Sequence, residues 1–389
     1  VLDWVIVGGG PHGVHLAIRL IGEAGVDAQR IRIVDPAPRL LDTWHRCTGN
    51  TGMTHLRSPG VHQLDIDPFS LLRFATERAH LRNTAGGLFA RPYNRPAVDL
   101  FTAHCDHLID RYRLDTLHLQ QRATGITVDC DGVRVETERG CLRSRRVLLA
   151  LGASEQPRWP AWSRMLPTGS VHHVFEPGFA LDPADWPDRT AVIGAGITGA
   201  QVALRLAGAG RTVFLVARHP LRQHDFDSAP GWVGPKNMLQ FSRTPDPTER
   251  RRMIRRARHL GSLPPEVHRQ LRRAIQQERV HLVHGEVRDA LPDLRLALAD
   301  RVLDVDAVLL ATGFETRRPG GAWIDTLIDE TSLSCAACGF PRVDPHLRWH
   351  PRVFVTGPLA ELEVGPVARN LIGARRAAER ILPVARQRP

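Results

Sequence analysis

Residues 191–200 of the 389-residue chain read AVIGAGITGA, an apolar strand that runs through glycines into a helix. The same pattern occurs earlier, as VIVGGGPHG at residues 5–13. Both follow the spacing G-x-G-x-x-G, in which the first glycine permits a tight turn, the second admits a pyrophosphate and the third lets helix pack on strand. We therefore expect two dinucleotide-binding units. Their expected nucleotide-binding residues are Gly8, Gly10, Pro11, His12 and Gly13 in the first unit, and Gly194, Gly196, Ile197, Thr198 and Gly199 in the second.

The strand that follows each turn ends in a residue of different charge. Asp35 ends the strand after the first turn, where a carboxylate can accept hydrogen bonds from an adenosine ribose. Arg218 follows the corresponding strand of the second unit, where a guanidinium suits a ribose that carries a 2′-phosphate. A single arginine at a strand end is often only a surface residue, but the pattern favours NADPH over NADH on the second unit.

The composition narrows the class of protein. The net charge of +11 comes almost wholly from arginine, since Lys236 is the only lysine, and the arginine-rich residues 248–261 read as a solvated helix face. With no nucleic-acid motif present, we expect no nucleic-acid partner. Six cysteines are too few for a disulfide scaffold, and no apolar run reaches the roughly 18 residues that a membrane span needs. We expect a cytoplasmic protein without membrane contact.

Two further apolar strands end in small residues and glycine, LLALGA at residues 148–153 and LLATGF at residues 309–314. With the motifs in this order, nearly the whole chain resembles the two-dinucleotide-binding flavoproteins, which include thioredoxin-reductase-like enzymes and class B flavin monooxygenases. The resemblance implies an α/β fold with two Rossmann-like domains, in which an NADPH domain interrupts a discontinuous FAD domain. The implied divisions are a first FAD part at 1–155, a linker at 156–187, the NAD(P)H domain at 188–305 and a second FAD part at 306–389.

Residues 306–319, DAVLLATGFETRRP, are similar to the signature of flavin-dependent N-hydroxylases, the lysine and ornithine N-monooxygenases, with Phe314 where the family usually has Tyr. Trp44 reads equally well as a flavin neighbour or as a core aromatic, and Pro358 replaces an Asp that touches the ribityl chain in many relatives. The final helix is expected to begin at Pro366. The further cofactor contacts implied by the resemblance are Trp44, Gly152, Ala311, Thr312, Gly313, Gly357, Pro358 and Val367.

The loop at residues 50–57 also resembles the loop beside the flavin in these N-hydroxylases. Its residues Asn50, Met53, His55 and Arg57 are the candidates for facing flavin and substrate, and Arg57 stands near the position of the family's characteristic lysine. His173 keeps half of another monooxygenase fingerprint and fits equally well as a histidine bonded to backbone.

The activity implied by the resemblance is that of an FAD-dependent, NADPH-using monooxygenase. It would oxygenate a small molecule with O₂, by N-hydroxylation, through a flavin C4a-hydroperoxide. One alternative is an NAD(P)H-dependent flavoprotein reductase of a disulfide, quinone or other acceptor, with Cys335 and Cys338 as the redox pair. A nucleotide sensor is disfavoured by the intact second turn and Arg218.

Three smaller expectations complete the analysis of the sequence. A structural loop is the favoured interpretation of the Cys335–Cys338 motif. A solvated or capping role is favoured for His104 and His107, so we expect no metal site. The sequence leaves a homo-oligomer open.

Overall fold

The fold is described from a computed structural model, which covers residues 1–77 and 87–385. The strands are β1 (Leu2–Val7), β2 (Ile31–Asp35), β3 (Phe89–Ala90), β4 (Arg95–Pro96), β5 (His118–Gln120), β6 (Ala123–Val128), β7 (Val133–Thr137), β8 (Gly140–Leu149), β9 (Val171–His173), β10 (Arg189–Ile193), β11 (Thr212–Ala217), β12 (Arg222–Gln223), β13 (Ser262–Leu263), β14 (Val280–His284), β15 (Asp289–Ala290), β16 (Arg295–Ala297), β17 (Val302–Asp304), β18 (Ala307–Leu310), β19 (Arg348–His350) and β20 (Val353–Val355). The α-helices are α1 (Pro11–Gly22), α2 (Asp42–Thr51), α3 (Ser70–Glu77), α4 (Val98–Tyr112), α5 (Ile197–Gly208), α6 (Pro235–Arg243), α7 (Pro247–Ala257), α8 (Pro265–Gln276), α9 (Gly321–Thr331), α10 (Glu361–Val364) and α11 (Leu371–Ala385).

The first sheet has the order β19-β20-β8-β1-β2-β5, and β1 runs parallel to both β2 and β8. The hairpin of β6 and β7 extends this sheet from β8. Because β1 lies in the middle, its residues Trp4, Val5 and Ile6 are completely buried. Helices α1 and α11 pack against each other beside this sheet.

The second sheet has the order β14-β11-β10-β18-β9, with parallel pairing throughout. Alternate residues of β18 enter two different cores: Leu309 packs with helices α5 and α8, whereas Val308 and Leu310 pack with the small sheet of β15, β16 and β17. Burial on both faces explains why β18 is a continuous apolar run. The predicted α/β class is confirmed, with a wholly parallel second sheet and a first sheet that adds antiparallel strands to a parallel centre.

The strand pairing differs from two of the expected domain boundaries. Residues 307–310 were expected to begin the second FAD part, but β18 pairs with β10 in the second sheet. Residues 171–173 were expected in a linker, but β9 pairs with β18 at the edge of that sheet. Both corrections have one cause. β18 is an apolar strand that pairs with β10 along one edge, and β9 pairs along its other edge, so β18 is buried inside the second sheet.

The chain enters and leaves the second unit side by side. Pro157 and Phe314 form an antiparallel bridge, the Arg158 N–H donates to the Gly313 carbonyl at 2.8 Å, and the Glu315 N–H donates to the Gln156 carbonyl at 2.8 Å. We call residues 156–158 and 313–315 the neck. The second unit is therefore a continuous insertion that begins and ends at one place.

Candidate functional site

The first glycine turn joins β1 to α1 with almost no spare space. A Cβ on Gly8 would lie 2.3 Å from the Ala150 carbonyl oxygen, and one on Gly13 would lie 1.9 Å from the Gly8 carbonyl oxygen. No atom lies within 4 Å of the corresponding position on Gly10. Gly10 is the N-cap of α1, and no side chain accepts a hydrogen bond from the first N–H groups of this helix. The two outer glycines thus serve packing, and the middle one leaves the N–H groups of the helix open to an anion.

Asp35 holds this turn against the end of β2. One carboxylate oxygen accepts the Gly9 N–H at 2.6 Å, and the other accepts the Ala37 N–H at 2.9 Å. Each carboxylate oxygen retains a lone pair for a further donor such as a ribose hydroxyl. The structure therefore places Asp35 beside the turn, where the sequence expects it.

His12 joins the first turn to the C-terminal part of the chain. Its Nε2–H donates to the Asn370 carbonyl oxygen at 3.2 Å, so its Nδ1 accepts from the Thr356 hydroxyl at 2.8 Å. Burial lowers the pKa of His12 to about 4, which keeps the ring neutral at pH 7. A Cβ on Gly357 would lie 3.8 Å from Nδ1 of His12, so residues 345 positions apart in sequence meet here.

The second glycine turn is packed as closely as the first, but its middle glycine is covered by another segment of the chain. A Cβ on Gly194 would lie 2.7 Å from the Ala311 carbonyl oxygen, and one on Gly199 would lie 1.8 Å from the Gly194 carbonyl oxygen. The Cβ position of Gly196 lies 3.3 Å from the Cα of Gly261. The backbone at Gly261 therefore covers the second turn, whereas the first turn is open. Ile197 and Thr198 begin α5 directly after this turn.

Arg218 lies just beyond the end of β11, with its side chain 54% exposed. Its Nη1 lies 3.2 Å from a carboxylate oxygen of Glu286, which follows β14, the next strand of the sheet. The sequence analysis missed Glu286, although an acid after the neighbouring parallel strand is a usable signal. An exposed ion pair of this kind contributes little to stability, so the guanidinium is available to a phosphate.

Three of the expected cofactor residues lie in the neck or just before it. Ala311 directly follows β18, and its N–H donates to the Ile193 carbonyl at 2.9 Å. The Thr312 hydroxyl donates to the Arg158 carbonyl. Gly313 accepts from Nε2 of His173 at 3.1 Å. Burial lowers the pKa of His173 to about 4, and these contacts support the interpretation of His173 as bonded to backbone.

The remaining expected cofactor residues lie in the first unit. Gly152 follows β8 with a φ of +67°, and Pro358 and Val367 are buried after β20. Trp44 is half-buried on α2, and its ring centroid lies 5.2 Å from that of Phe101, an ordinary core contact. The final helix begins at Leu371 rather than at the expected Pro366, because residues 365–370 form turns with i→i+3 hydrogen bonds.

Asn50 is buried, and its side chain bonds only to backbone in the described part of the chain. Its Nδ2 donates to the carbonyls of Val174 at 2.8 Å and Phe179 at 3.0 Å, and its Oδ1 accepts the Leu181 N–H at 3.0 Å. These bonds position α2 against residues 174–181. Met53, the next candidate, is half-buried against the first core.

His55 and Arg57 have different surroundings. His55 is half-buried and donates from Nε2 to the Gly87 carbonyl at 2.9 Å. Arg57 is only 13% exposed and spans the two units, with Nη1 2.6 Å from Asp227 and Nη2 2.9 Å from the Ser262 hydroxyl. The structure thus uses Asn50 and Arg57 to position neighbouring segments, and it does not gather the four candidates into one polar cluster.

A buried charge cluster near the C-terminus has no counterpart in the sequence analysis. Glu361 is completely buried and pairs with Arg251, with Arg258 at 3.3 Å and with Arg369 at 2.9 Å. Burial raises the pKa of Glu361, but the arginines outweigh burial and hold it below its usual value. The partners lie up to 110 residues apart, so no local pattern could have revealed the cluster.

The cysteine and histidine candidates show structural contacts. Cys335 and Cys338 carry free thiols on a hairpin in which the Ala336 N–H donates to the Phe340 carbonyl at 2.9 Å. His104 is buried inside α4 rather than solvated or capping as expected, with Nε2 3.0 Å from the Ser70 hydroxyl. Within residues 1–77 and 87–385, no group of three or more His, Cys, Asp or Glu side chains could hold a metal ion. Every described helix is too short or too polar to span a membrane.

Comparisons with known proteins agree with this architecture. The family model for pyridine nucleotide-disulphide oxidoreductases matches residues 2–379. No curated protein sequence matches the chain.

Solved structures of similar fold cover nearly the whole chain. The ornithine N-hydroxylase of Kutzneria sp. 744, with reduced FAD, NADP⁺ and L-ornithine, is 18% identical, with 99% of each chain covered and a TM-score of 0.78. The L-lysine 6-monooxygenase of Pseudomonas syringae is 20% identical, with 99% of each chain covered and a TM-score of 0.73. The bacillithiol disulfide reductase of Bacillus cereus is 14% identical over 99% of this chain and 98% of that chain, with a TM-score of 0.64. At these identities the likeness shows the fold alone.

Proposed function

Because the chain belongs to the pyridine nucleotide-disulphide oxidoreductase family, we propose that it is an FAD- and NADPH-dependent monooxygenase that hydroxylates a nitrogen of a small molecule with O₂. The observation that carries the proposal is the contrast between the two glycine turns. The first has a carboxylate, Asp35, hydrogen-bonded beside it, and the second has a guanidinium, Arg218, beyond its following strand. One turn thus suits the ribose of FAD, and the other suits the 2′-phosphate of NADPH.

The first turn fits FAD. A pyrophosphate can approach the open side of Gly10 and the uncapped N–H groups of α1, where the helix dipole favours negative charge. FAD held at this turn would supply the redox chemistry, namely hydride acceptance from NADPH and reactivity toward O₂. Neutral His12 binds the segment at Thr356 and Asn370 to the turn, so this segment would contribute to the same FAD site.

The second turn fits NADPH through α5 and Arg218. The first turn of α5 provides N–H groups for the pyrophosphate. The backbone of Gly261 lies close to Gly196 and leaves no room for a side chain there. Arg57 holds the segment around Asp227 and Ser262 against the first unit, so it would help to hold the unit that binds NADPH in place beside the unit that binds FAD. The N-hydroxylase-like residues 306–319 support oxygen transfer as the reaction.

A direct experiment follows electrons and oxygen separately. The purified protein is reduced with NADPH without O₂, and ¹⁸O₂ is then admitted with L-ornithine, L-lysine or other primary amines. We expect the flavin absorbance to bleach and one amine to gain a single ¹⁸O atom for each NADPH consumed. Hydrogen peroxide equal to the NADPH consumed, with no labelled product from any amine, would contradict oxygen transfer.

A reductase is the second candidate, favoured by the free thiols of Cys335 and Cys338 and by the similarity to the bacillithiol disulfide reductase. Burial raises the pKa of the Cys335 thiol, which disfavours the thiolate that disulfide exchange requires. Replacement of Cys335 by Ser separates the two functions. Turnover of NADPH should persist in this variant if the protein is a monooxygenase, and its loss would favour the reductase.

A further inference from the structure

A cleft of about 320 Å³ lies between α7 and the hairpin of residues 335–341. Helix α7 contributes Arg251, Arg252 and Arg255 to one wall. Residues 336–338 of the hairpin form the opposite wall. The cleft is separate in sequence from both glycine turns and from the two strand ends that carry Asp35 and Arg218.

The arginine wall has donors that the protein does not use. Arg251 pairs through Nη1 with buried Glu361, and its guanidinium lies 4.0 Å above the Phe340 ring, so its position is fixed. Its Nε and Nη2 atoms are buried and have no oxygen or nitrogen acceptor in the described part of the chain, and the guanidinium also interacts with the Cys338 thiol across the cleft. Arg252 pairs with Glu249, while Arg255 is exposed at the cleft.

Unpaired guanidinium N–H groups favour a carboxylate or phosphate, because these oxygens accept the fork of donors that arginine presents. The N–H groups of Thr248 and Glu249 at the start of α7 already donate to the Asp246 carboxylate, so they are not free for a ligand.

The hairpin wall determines what else the ligand carries. Ala336 and Ala337 present methyl groups, and the Cys338 thiol is exposed beside them. A ligand that contacts both walls therefore combines an anionic group with a short apolar part. We propose that this cleft is a binding site for small organic anions, carboxylates or phosphate esters, whose charged group is bound by Arg251 and Arg255 next to Cys338.

The Cys338 thiol provides a reporter for this site. Iodoacetate and iodoacetamide alkylate a thiolate by the same reaction, in which an S–C bond forms and iodide leaves, but only iodoacetate carries a carboxylate. Peptide mass spectrometry of the intact purified protein gives both rates at Cys338 and at the exposed Cys141. We expect the ratio of iodoacetate to iodoacetamide rates to be about fivefold higher at Cys338, the effect of a nearby unpaired charge in a partly solvated cleft.

Two variants of α7 test whether the arginine wall causes this preference. Arg255→Gln should lower the ratio at Cys338 toward that at Cys141. Arg256→Gln removes the same charge from an exposed residue outside the cleft and should leave the ratio unchanged. Inorganic phosphate should slow alkylation at Cys338 more than NaCl of equal ionic strength does. Equal ratios at the two cysteines, or no difference between phosphate and NaCl, would overturn the proposal.

A second measurement covers the case in which Cys338 reacts with neither reagent. Phosphate should then raise the melting temperature of the native protein and of Arg256→Gln more than that of Arg255→Gln, because any binding at the glycine turns is common to all three. The absence of that difference would also overturn the proposal. None of these measurements uses NADPH, O₂ or turnover, so a failure here leaves the proposed monooxygenase function untouched.

Discussion

Replacement of Arg57 by Ala should loosen the contact between the two units without emptying a catalytic position. The guanidinium donates to the Asp225 carbonyl at 3.0 Å, the His224 carbonyl at 2.7 Å and the Ser262 hydroxyl at 2.9 Å, besides its pair with Asp227. All four acceptors belong to the second unit, whereas Arg57 follows α2 of the first. The variant removes every one of these bonds at once.

The size of the effect follows from these four contacts. A net contribution of about 1 kcal/mol for each gives about 4 kcal/mol, with the Asp227 pair at the low end because its carboxylate is 51% exposed. For 389 residues the entropy of unfolding is about 0.8 kcal/mol/K, so the melting temperature should fall by about 5 °C when the units unfold together. The KM for NADPH should rise because the second unit is less firmly oriented, while kcat with saturating NADPH changes less.

Thermal unfolding followed by flavin fluorescence, together with steady-state kinetics, measures both effects. Arg57→Lys should recover only the pair with Asp227, and Arg272→Ala, at an exposed arginine of α8, should leave melting temperature and KM unchanged. If Arg57→Ala keeps its melting temperature and its KM but loses kcat, Arg57 does not act by positioning the second unit. It would then again be a candidate for contact with flavin or substrate.

Three other changes test the site. Gly13→Ala should abolish FAD retention, measured by absorbance, because its Cβ would lie 1.9 Å from a carbonyl oxygen of the turn, whereas Gly10→Ala should keep the fold and only weaken FAD binding. Arg218→Ala should raise the KM for NADPH about tenfold and that for NADH much less, and equal effects on both would contradict a 2′-phosphate contact. His12 and His15 have pKa values lowered to about 4 and about 3 by burial, so the unfolded chain binds more protons below pH 6.5, and stability should fall from pH 7 to pH 5 by roughly 2 kcal/mol for each ring. The loss on acidification, followed by thermal unfolding, should be smaller in His12→Asn, and an equal loss would argue against a neutral, buried His12.

The parts of the fold that the sequence predicts are those determined by neighbours within about 30 residues. A strand, a glycine turn and a helix form one local unit, and the requirement for glycine at residue 13 comes from an atom of that same unit, the Gly8 carbonyl oxygen. The positions of Asp35 and Arg218 follow in the same way, because each ends the strand after its turn. Their roles toward FAD and NADPH stay predictions.

What the sequence could not supply depends on pairing between distant segments. Apolar β18 fits either sheet by composition, and only its register with β10 assigns it to the second. Asn50 reads as a polar loop residue, but its amide is saturated by the backbone of residues 174–181. Glu361 reads as a surface acid on a short helix, but three arginines from two other segments surround it.

The neck has a consequence for how the chain assembles. β20 must find β8 across roughly 200 residues of intervening chain, but once the neck has closed, the effective separation falls to about 45 residues, which lowers the entropy cost of loop closure by about 1 kcal/mol. Early folding of the insertion would therefore promote completion of the first sheet, although the two sheets share no strand. The neck also makes the insertion modular. Its entering and leaving segments are hydrogen-bonded to each other, so an exchange of the whole insertion would need only two junctions, and these lie side by side.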